Sequence, residues 1–294
     1  MKRAGPILAV LCVILVLWYL AAIWLNAAWI TDQAARAGVA VGWRDYVTGA
    51  MGQERPVLPP PHQVLRELWK GVTGFAVTSK KSLVYHGYVT LTATFWGFVL
   101  GTLVGILMAV GITRSRTMEL GLMPWAVISQ TIPVVAIAPM IVVLSNGLGL
   151  GDHLGISNRL VSKTIIAAYL SFFPVLVGMI KGLRSPDPFQ IDLLRTYNAS
   201  EGQAFWKLRL PASVPYLFTS LKIGIAAALV GAIVGELPTG AIEGLGARML
   251  IGSQFGSPII VWAALFAAAI LAGVLILLVR LAERLVLKST GMQP

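Results

Sequence analysis

Few side chains here could do bond-making chemistry, and they do not group. There are three histidines (His62, His86 and His153) and one cysteine, Cys12. Metal binding needs such ligands converging, as in a helix-borne HExxH. These lie far apart, and their spacing predicts solvated or interfacial histidines with no metal or cofactor site. A single cysteine allows no intrachain disulfide. No GxxxxGK[ST] loop occurs, so this chain does not hydrolyse ATP through a P-loop. Gly147, Gly149, Gly151 and Gly155 miss the GxGxxG spacing and read as a reversal between helices. What remains is polar chemistry in unusual places: Gln130-Thr131-Ile132-Pro133 inside an apolar run, Glu236 at the end of another, and a patterned segment over 181–215. These suit recognition and movement rather than catalysis.

The elements that must carry these residues follow from composition. The chain has 294 residues, 57% hydrophobic and only 12% charged, where a soluble domain carries about 25% charged residues. Mean hydropathy is +0.80. That balance excludes an ordinary soluble enzyme and excludes disorder; the class is an all-α integral membrane protein. The formal net charge of +11 could signal nucleic acid, but lysine and arginine collecting on cytoplasmic loops explains it better. No nucleic-acid partner is expected.

A spanning helix needs about 20 mostly apolar residues. Six stretches qualify: Ile7–Ile30, Tyr88–Ile112, Met123–Leu144, Leu160–Ile180, Tyr216–Gly235 and Ile259–Val279. The first is longer than a signal-peptide core and reads as an uncleaved anchor. In the fifth, Lys222 is expected to snorkel to the headgroups. With both termini inside, thirteen of the 23 lysines and arginines are cytoplasmic, which favours an N-in, C-in arrangement. The domain reading is 1–87 for the anchor and outer segment, 88–285 for a transmembrane domain containing loop 181–215, and 286–294 for a cytoplasmic tail. In the outer segment, Val64, Leu65, Leu68, Trp69 and Val72 recur at helical spacing behind Leu58-Pro-Pro-Pro61. They predict an amphipathic helix in the outer interface or packed on the bundle.

Two stripes of small residues mark close helix contacts: Ala93, Gly97, Gly101, Gly105 and Ala109 in the second span, and Gly224, Ala228 and Ala232 in the fifth. They fit packing within one subunit or a seam between subunits. In the third span, Gln130, Thr131, Pro133 and Pro139 fit either a proline kink or the wall of a pathway, where freed backbone groups are tolerated. Ionisable groups within the spans read as nearly absent, so an ion-driven carrier, which keeps some at midplane, is disfavoured. A membrane enzyme lacks clustered catalytic residues, and a passive channel leaves loop 181–215 unused. The energy must enter from elsewhere.

That loop is patterned as two short helices. Asp187 is a plausible N-cap with Pro188 at the first helical position. The run Phe189–Tyr197 follows, and Asn198 suits the left-handed residue that ends a helix. Ser200-Glu201-Gly202-Gln203 forms a capping box, opening a second helix Glu201–Leu208 that Leu210-Pro211 should stop. Phe205 and Trp206 lie on it. Large aromatics on a cytoplasmic loop need a partner surface, either this protein's own bundle or another protein.

The stretch from Asp192 through Asn198, Ala199, Ser200, Gln203, Phe205, Trp206 and Leu208 to Leu210-Pro211 resembles the EAA loop of ABC importer permeases. The nine residues between Asn198 and Leu208 and the terminal Leu-Pro match. Asp192-Leu193-Leu194 stands for Glu-Ala-Ala, and Asn198 for glycine. Gln130-Thr131-Ile132-Pro133 through Pro139, Phe172-Phe173-Pro174, Gly182-Leu183-Arg184, Ala212-Ser213-Val214-Pro215, and Glu236 followed by Gly244-Leu245-Gly246 are similar to the nitrate/sulfonate/taurine class of these permeases. The resemblance implies a type I importer permease of a bacterial inner membrane. Its partners would be two ATPase subunits, a second permease copy, a solute-binding protein and membrane lipid. Helix 199–208 would be the coupling helix, anchored on the ATPase by Phe205 and Trp206. Outer loops 145–159 and 237–258 would receive the binding protein. Gln130, Thr131, Pro133 and Glu236 would lie along the translocation pathway, with Glu236 either a polar gate or a structural cap. The cargo implied is a small anion such as a sulfonate, taurine or nitrate; the alternative is a heterocyclic vitamin precursor or pyrimidine.

Overall fold

A computed structural model of the protein describes residues 4–38, 40, 42–238, 240 and 242–289. Lys2, Arg3, Thr239, Ala241 and the last five residues, which carried part of the orientation and loop readings, lie outside it. Among the described residues every regular element is helical. The chain divides into two compact units, residues 1–87 with 247–268 and residues 88–246 with 269–294.

In the first unit, α1 (Ala4–Ala37) is a long apolar helix, followed by α2 (Trp43–Gly52) and α3 (Pro61–Thr73). A buried amide in an apolar helix costs free energy unless every polar group is satisfied, and Asn26 meets that demand by gathering the outer segment. Its Nδ2 donates to the carbonyls of Ala50 at 3.1 Å and Leu58 at 3.0 Å, and its Oδ1 accepts from the Leu58 N–H at 3.2 Å. Gln53 Nε2 donates to the Asn26 carbonyl at 2.9 Å. Trp18 donates to the Pro59 carbonyl at 3.1 Å and packs against Trp262 and Phe266. The amphipathic helix expected after the proline run is α3, with Pro61 in its first turn. Val64 and Gly71 are buried, while Leu65 and Trp69 are exposed. His86 departs from the solvated reading: it is buried, with its Nε2 2.9 Å from the Lys80 carbonyl oxygen.

Most of the second unit is a bundle around one helix. Here α4 (Leu83–Arg114), α5 (Arg116–Ser129), α6 (Val134–Gly147) and the short α7 (Leu150–Leu154) lead to α8 (Asn158–Leu183). The loop helices α9 (Pro188–Thr196) and α10 (Glu201–Ala204) then lead into α11 (Leu210–Glu236), and α12 (Leu245–Gln254) and α13 (Pro258–Ser289) complete the chain. Both small-residue stripes close on α8. A methyl added at Gly97 would lie 2.9 Å from the Thr164 carbonyl oxygen, and at Gly101 and Gly105 2.7 Å from those of Ala168 and Phe172. On α11, a methyl on Gly231 would meet Ala167 Cα at 2.7 Å. In lipid no hydrophobic drive joins helices, so such close approach supplies the packing. These contacts lie within the chain.

The third span is not one helix. Its halves, α5 and α6, are bent by 103° at Gln130–Pro133. Pro133 lacks an N–H and enforces extended backbone before α6, while Pro139 is accommodated inside α6. The bent pair nevertheless runs the length of α8. Glu119 near its start pairs with Arg184 just past the α8 C-terminus at 3.0 Å. The Ser129 carbonyl at the break accepts from Tyr169 midway along α8, and Ser145 near the end of α6 reaches the Asn158 carbonyl at the α8 N-terminus at 3.5 Å. Five continuous helices are long and apolar enough to span, and the broken pair makes the sixth crossing. The glycine-rich reversal expected between α6 and α8 turns at Gly149 and Gly155, both at positive φ.

Charge inside the spans also differs from expectation. Lys222 does not simply snorkel; its Nζ pairs with Glu283 on α13 at 2.7 Å. Lys163, near the start of the fourth span, is buried in α8 and pairs with Glu236 at 3.4 Å. Two ionic groups so placed are tolerated because each neutralises the other.

The α4–α8 seam predicts that Gly101→Ala lowers stability by about 1–3 kcal/mol through overpacking. Gly87→Ala, with nothing within 4 Å of the new methyl, should be neutral or slightly stabilising. Thermal unfolding of both variants in detergent checks this.

Candidate functional site

The patterned loop is built from local hydrogen bonds. Asp187 Oδ1 accepts from the Phe189 N–H at 2.8 Å, and Gln190 Oε1 accepts from the Asp187 N–H at 3.3 Å. The expected N-cap is therefore a full capping box, signalled in the sequence by Gln190 three residues after Asp187. Asn198 has φ 54, the one non-glycine residue at positive φ among those described. Its N–H donates to the Arg195 carbonyl at 2.9 Å, and the Ala199 N–H to that of Leu194 at 3.0 Å. This double closure is a Schellman motif, and asparagine takes the place usual for glycine because it tolerates the left-handed region. Ser200 and Gln203 close the second box: Gln203 N–H donates to Ser200 Oγ at 3.2 Å and Ser200 N–H to Gln203 Oε1 at 2.8 Å. Asp192 pairs with Arg195 at 3.2 Å on the exposed face.

The second helix was expected to stop at Leu210-Pro211; it does not. Residues Phe205–Arg209 form a single π-turn in which the Leu210 N–H donates to the Phe205 carbonyl. The widened turn relieves the clash between a proline ring and the carbonyl four residues earlier, and proline's missing N–H costs little there. The helix therefore runs unbroken from Glu201 to Glu236, 36 residues, about 54 Å at 1.5 Å per residue. Leu208, Leu210 and Pro211 are half-buried along it.

The two aromatics part company. Phe205 is 8% exposed and sits in a cluster with Ala109, Ile112, Leu176, Met179 and Leu183. The Arg114 guanidinium lies 5.0 Å from its ring centroid. Trp206 stands edge-on to it and is 67% exposed. Of the pair expected to reach outward, only Trp206 does so. Phe189 and Leu193 on α9 and Tyr197 at its C-cap, spaced four residues apart, are exposed as well, so α9 and the π-turn together present apolar surface that the sequence predicts at Phe205 and Trp206 alone.

The residues expected along a pathway fall into two places. Gln130, Thr131 and Pro133 sit exposed at the break between α5 and α6. Thr131 Oγ1 donates to the Ile128 carbonyl at 2.8 Å and Gln130 Nε2 to Ser129 Oγ at 3.2 Å. Glu236 is fully buried and is tied to Lys163, six residues from the Tyr169 that anchors the break, or about 9 Å along α8. Among the described residues no group of three metal-ligating side chains assembles.

A family described as the binding-protein-dependent transport system inner membrane component matches residues 101–290. This chain belongs to that family. It is an ABC importer permease, a multi-pass inner-membrane subunit that translocates rather than catalyses and works with an ATPase and a binding protein. The chain is 30% identical over 248 residues to the riboflavin transport system permease protein of Chloroflexus aurantiacus, covering 84% of this chain and 85% of that one. It is 32% identical to the formylaminopyrimidine transport permease protein of Halalkalibacterium halodurans, covering 69% and 74%. To the taurine transport system permease protein of Escherichia coli it is 28% identical, covering 77% and 78%. Its fold is similar to a chain in the crystal structure of an amino acid ABC transporter with histidines, at TM-score 0.53 and 19% identity over 69% of this permease and 92% of that chain.

The loop geometry predicts that Asn198→Val costs about 1–2 kcal/mol by forcing a β-branched residue into the left-handed region, while Asn198→Gly is neutral. Ser200→Ala should cost about 1 kcal/mol. Amide hydrogen exchange across α9 and α10 reads both effects.

Proposed function

We propose that α10 and the π-turn bearing Trp206, with the exposed face of α9, are the surface this permease seats in a groove of its ATPase, and that the permease works as a pair of copies. The observation that carries the reading is the unbroken helix from Glu201 to Glu236. It is capped rigidly at its cytoplasmic end, exposes Trp206 there and crosses the membrane at the other. Movement of the ATPase pair would reach the bundle without passing through a flexible joint. Phe205, seated among α4 and α8 residues under Arg114, would act as the root of this lever, Trp206 as its contact. Asp192, Asn198, Ala199, Ser200 and Gln203 would hold its geometry, and Leu208, Leu210 and Pro211 its junction with the span. Two such bundles would rock between inward- and outward-open states, with Gln130, Thr131 and Pro133 at the broken span lining the path. Residues 88–285 would form the transporting domain and 1–87 an added anchor. The N-in, C-in arrangement follows from six crossings and the basic cytoplasmic segments.

For the cargo, a small heterocycle of the pyrimidine or flavin kind is favoured over the anion expected first. Higher identity to the two heterocycle permeases supports it, and so does Lys163, the ammonium buried in α8, being committed to Glu236 rather than open to an anion. The anion reading keeps one observation: Arg248 on α12 has a buried Nε with no hydrogen-bond partner in the structure. In vesicles holding the full importer, uptake of a labelled aminopyrimidine or flavin is expected, with taurine and nitrate inert. Trp206→Ala should weaken ATPase binding by about 2 kcal/mol or more with the bundle still folded, whereas Phe205→Ala should chiefly lower thermal stability. Normal assembly and coupled uptake with Trp206→Ala would refute the seat.

A further inference from the structure

Glu236 is the last residue of α11, and its carboxylate gathers four stretches of chain. Oε1 accepts from Thr90 Oγ1 of α4 at 2.9 Å and from Lys163 Nζ of α8 at 3.4 Å. Oε2 accepts from the Gly246 N–H at 2.7 Å. The segment that returns after α11 is held at further points: the Leu245 N–H donates to Thr90 Oγ1 at 2.9 Å, and Lys163 Nζ donates to the Glu243 carbonyl at 3.3 Å. Glu236 and Thr90 are wholly buried and Lys163 nearly so. Gly244 has φ 121, and any side chain there would run into the Glu236 carboxylate. At Gly246 a methyl would lie 3.0 Å from Oε2. Glycine at both positions lets backbone amides approach where side chains could not.

A buried ion pair is a poor way to gain stability, because desolvating two charges costs several kcal/mol that apolar packing would not. What it offers is direction. A carboxylate has about four acceptor positions, and here they take in a hydroxyl, an ammonium and a backbone amide, fixing the register of residues 243–246 against three helices. An apolar contact would leave that register free to slide.

We propose that Glu236 and Lys163 are positioning residues for docking of the solute-binding protein. They clamp residues 243–246 to the outer end of α11, so that contact at this outer segment is delivered to the helix whose other end bears Trp206. This rests on the reading that the outer segment following α11 receives the binding protein. The clamp does not touch cargo; it presents the segment in a fixed pose.

The test uses the assembled importer, permease, ATPase and binding protein, in vesicles of phosphatidylethanolamine and phosphatidylglycerol, with ATP hydrolysis followed against binding-protein concentration. Glu236→Gln, Lys163→Met and Gly244→Ala should each raise the half-maximal binding-protein concentration about tenfold or more, with the saturated rate held within about twofold. Lys163→Arg, which keeps the charge, should restore most of the wild-type response. Lower yield or a lower saturated rate at unchanged half-maximal concentration would mean a structural role only and overturn the proposal. A flat response from the wild-type importer would instead sink the delivery reading on which it rests. Should the variants not assemble, hydrogen exchange at the Leu245 and Gly246 amides in the wild-type complex decides. Slow exchange without binding protein supports the clamp, and exchange at the rate of an open loop contradicts it.

Discussion

The close approach of α4 and α11 to one stretch of α8 is the constraint from which the second unit follows. In a bilayer the lipid tails are as apolar as the side chains, so helices hold together by contact rather than by expulsion of water. Gly97, Gly101 and Gly105 bring α4 against α8, and Gly224 and Gly231 bring α11 against the same Ala167, Ser171 and Val175 stretch. A gap of even a fraction of an ångström forfeits much of that attraction. With α11 locked to α8, its cytoplasmic extension has a fixed direction. The capping boxes and the Schellman turn then matter because they preserve that direction out to Trp206.

The π-turn is the local compromise that lets this work. A proline at 211 would ordinarily break or kink a helix at a cost of about 3 kcal/mol. Widening one turn over Phe205–Arg209 accommodates the ring and rotates the aromatic pair, so that Phe205 enters the bundle under Arg114 while Trp206 faces out. The short loop helix and the spanning helix become one element instead of two joined by a stop.

Much of this was legible in the amino acids because it is local. Asp187, Asn198, Ser200 and Gln203 act on backbone groups within a few residues, and each does what its chemistry at that spacing allows. Five spans were legible from length and apolarity. What was not legible depended on distance or on phase. Lys163 and Glu236 are 73 positions apart, and neither neighbourhood signals the other. Phe205 turns into the bundle while Trp206 faces out, a choice between two open alternatives that is set by the phase of the π-turn and not by residue type. Composition sees a straight span and one broken by 103° alike, although Pro133 was the signal for the break. Asn26 had a readable cue, an amide alone in an apolar run, whose partners lay in a segment without regular pattern.

The central claim is that the cytoplasmic coupling element, the span and the clamped outer segment move as one body. Spin labels at Glu201→Cys and Ile242→Cys, with Cys12 replaced by serine, measure it directly in the assembled importer. The account predicts the same label-to-label distance within one copy, to about 2 Å, in the nucleotide-free and ATP-bound states, while the distance between the two copies' labels at residue 201 changes. A shift of several ångströms within one copy would place a hinge at the π-turn or in the clamp, and would contradict it.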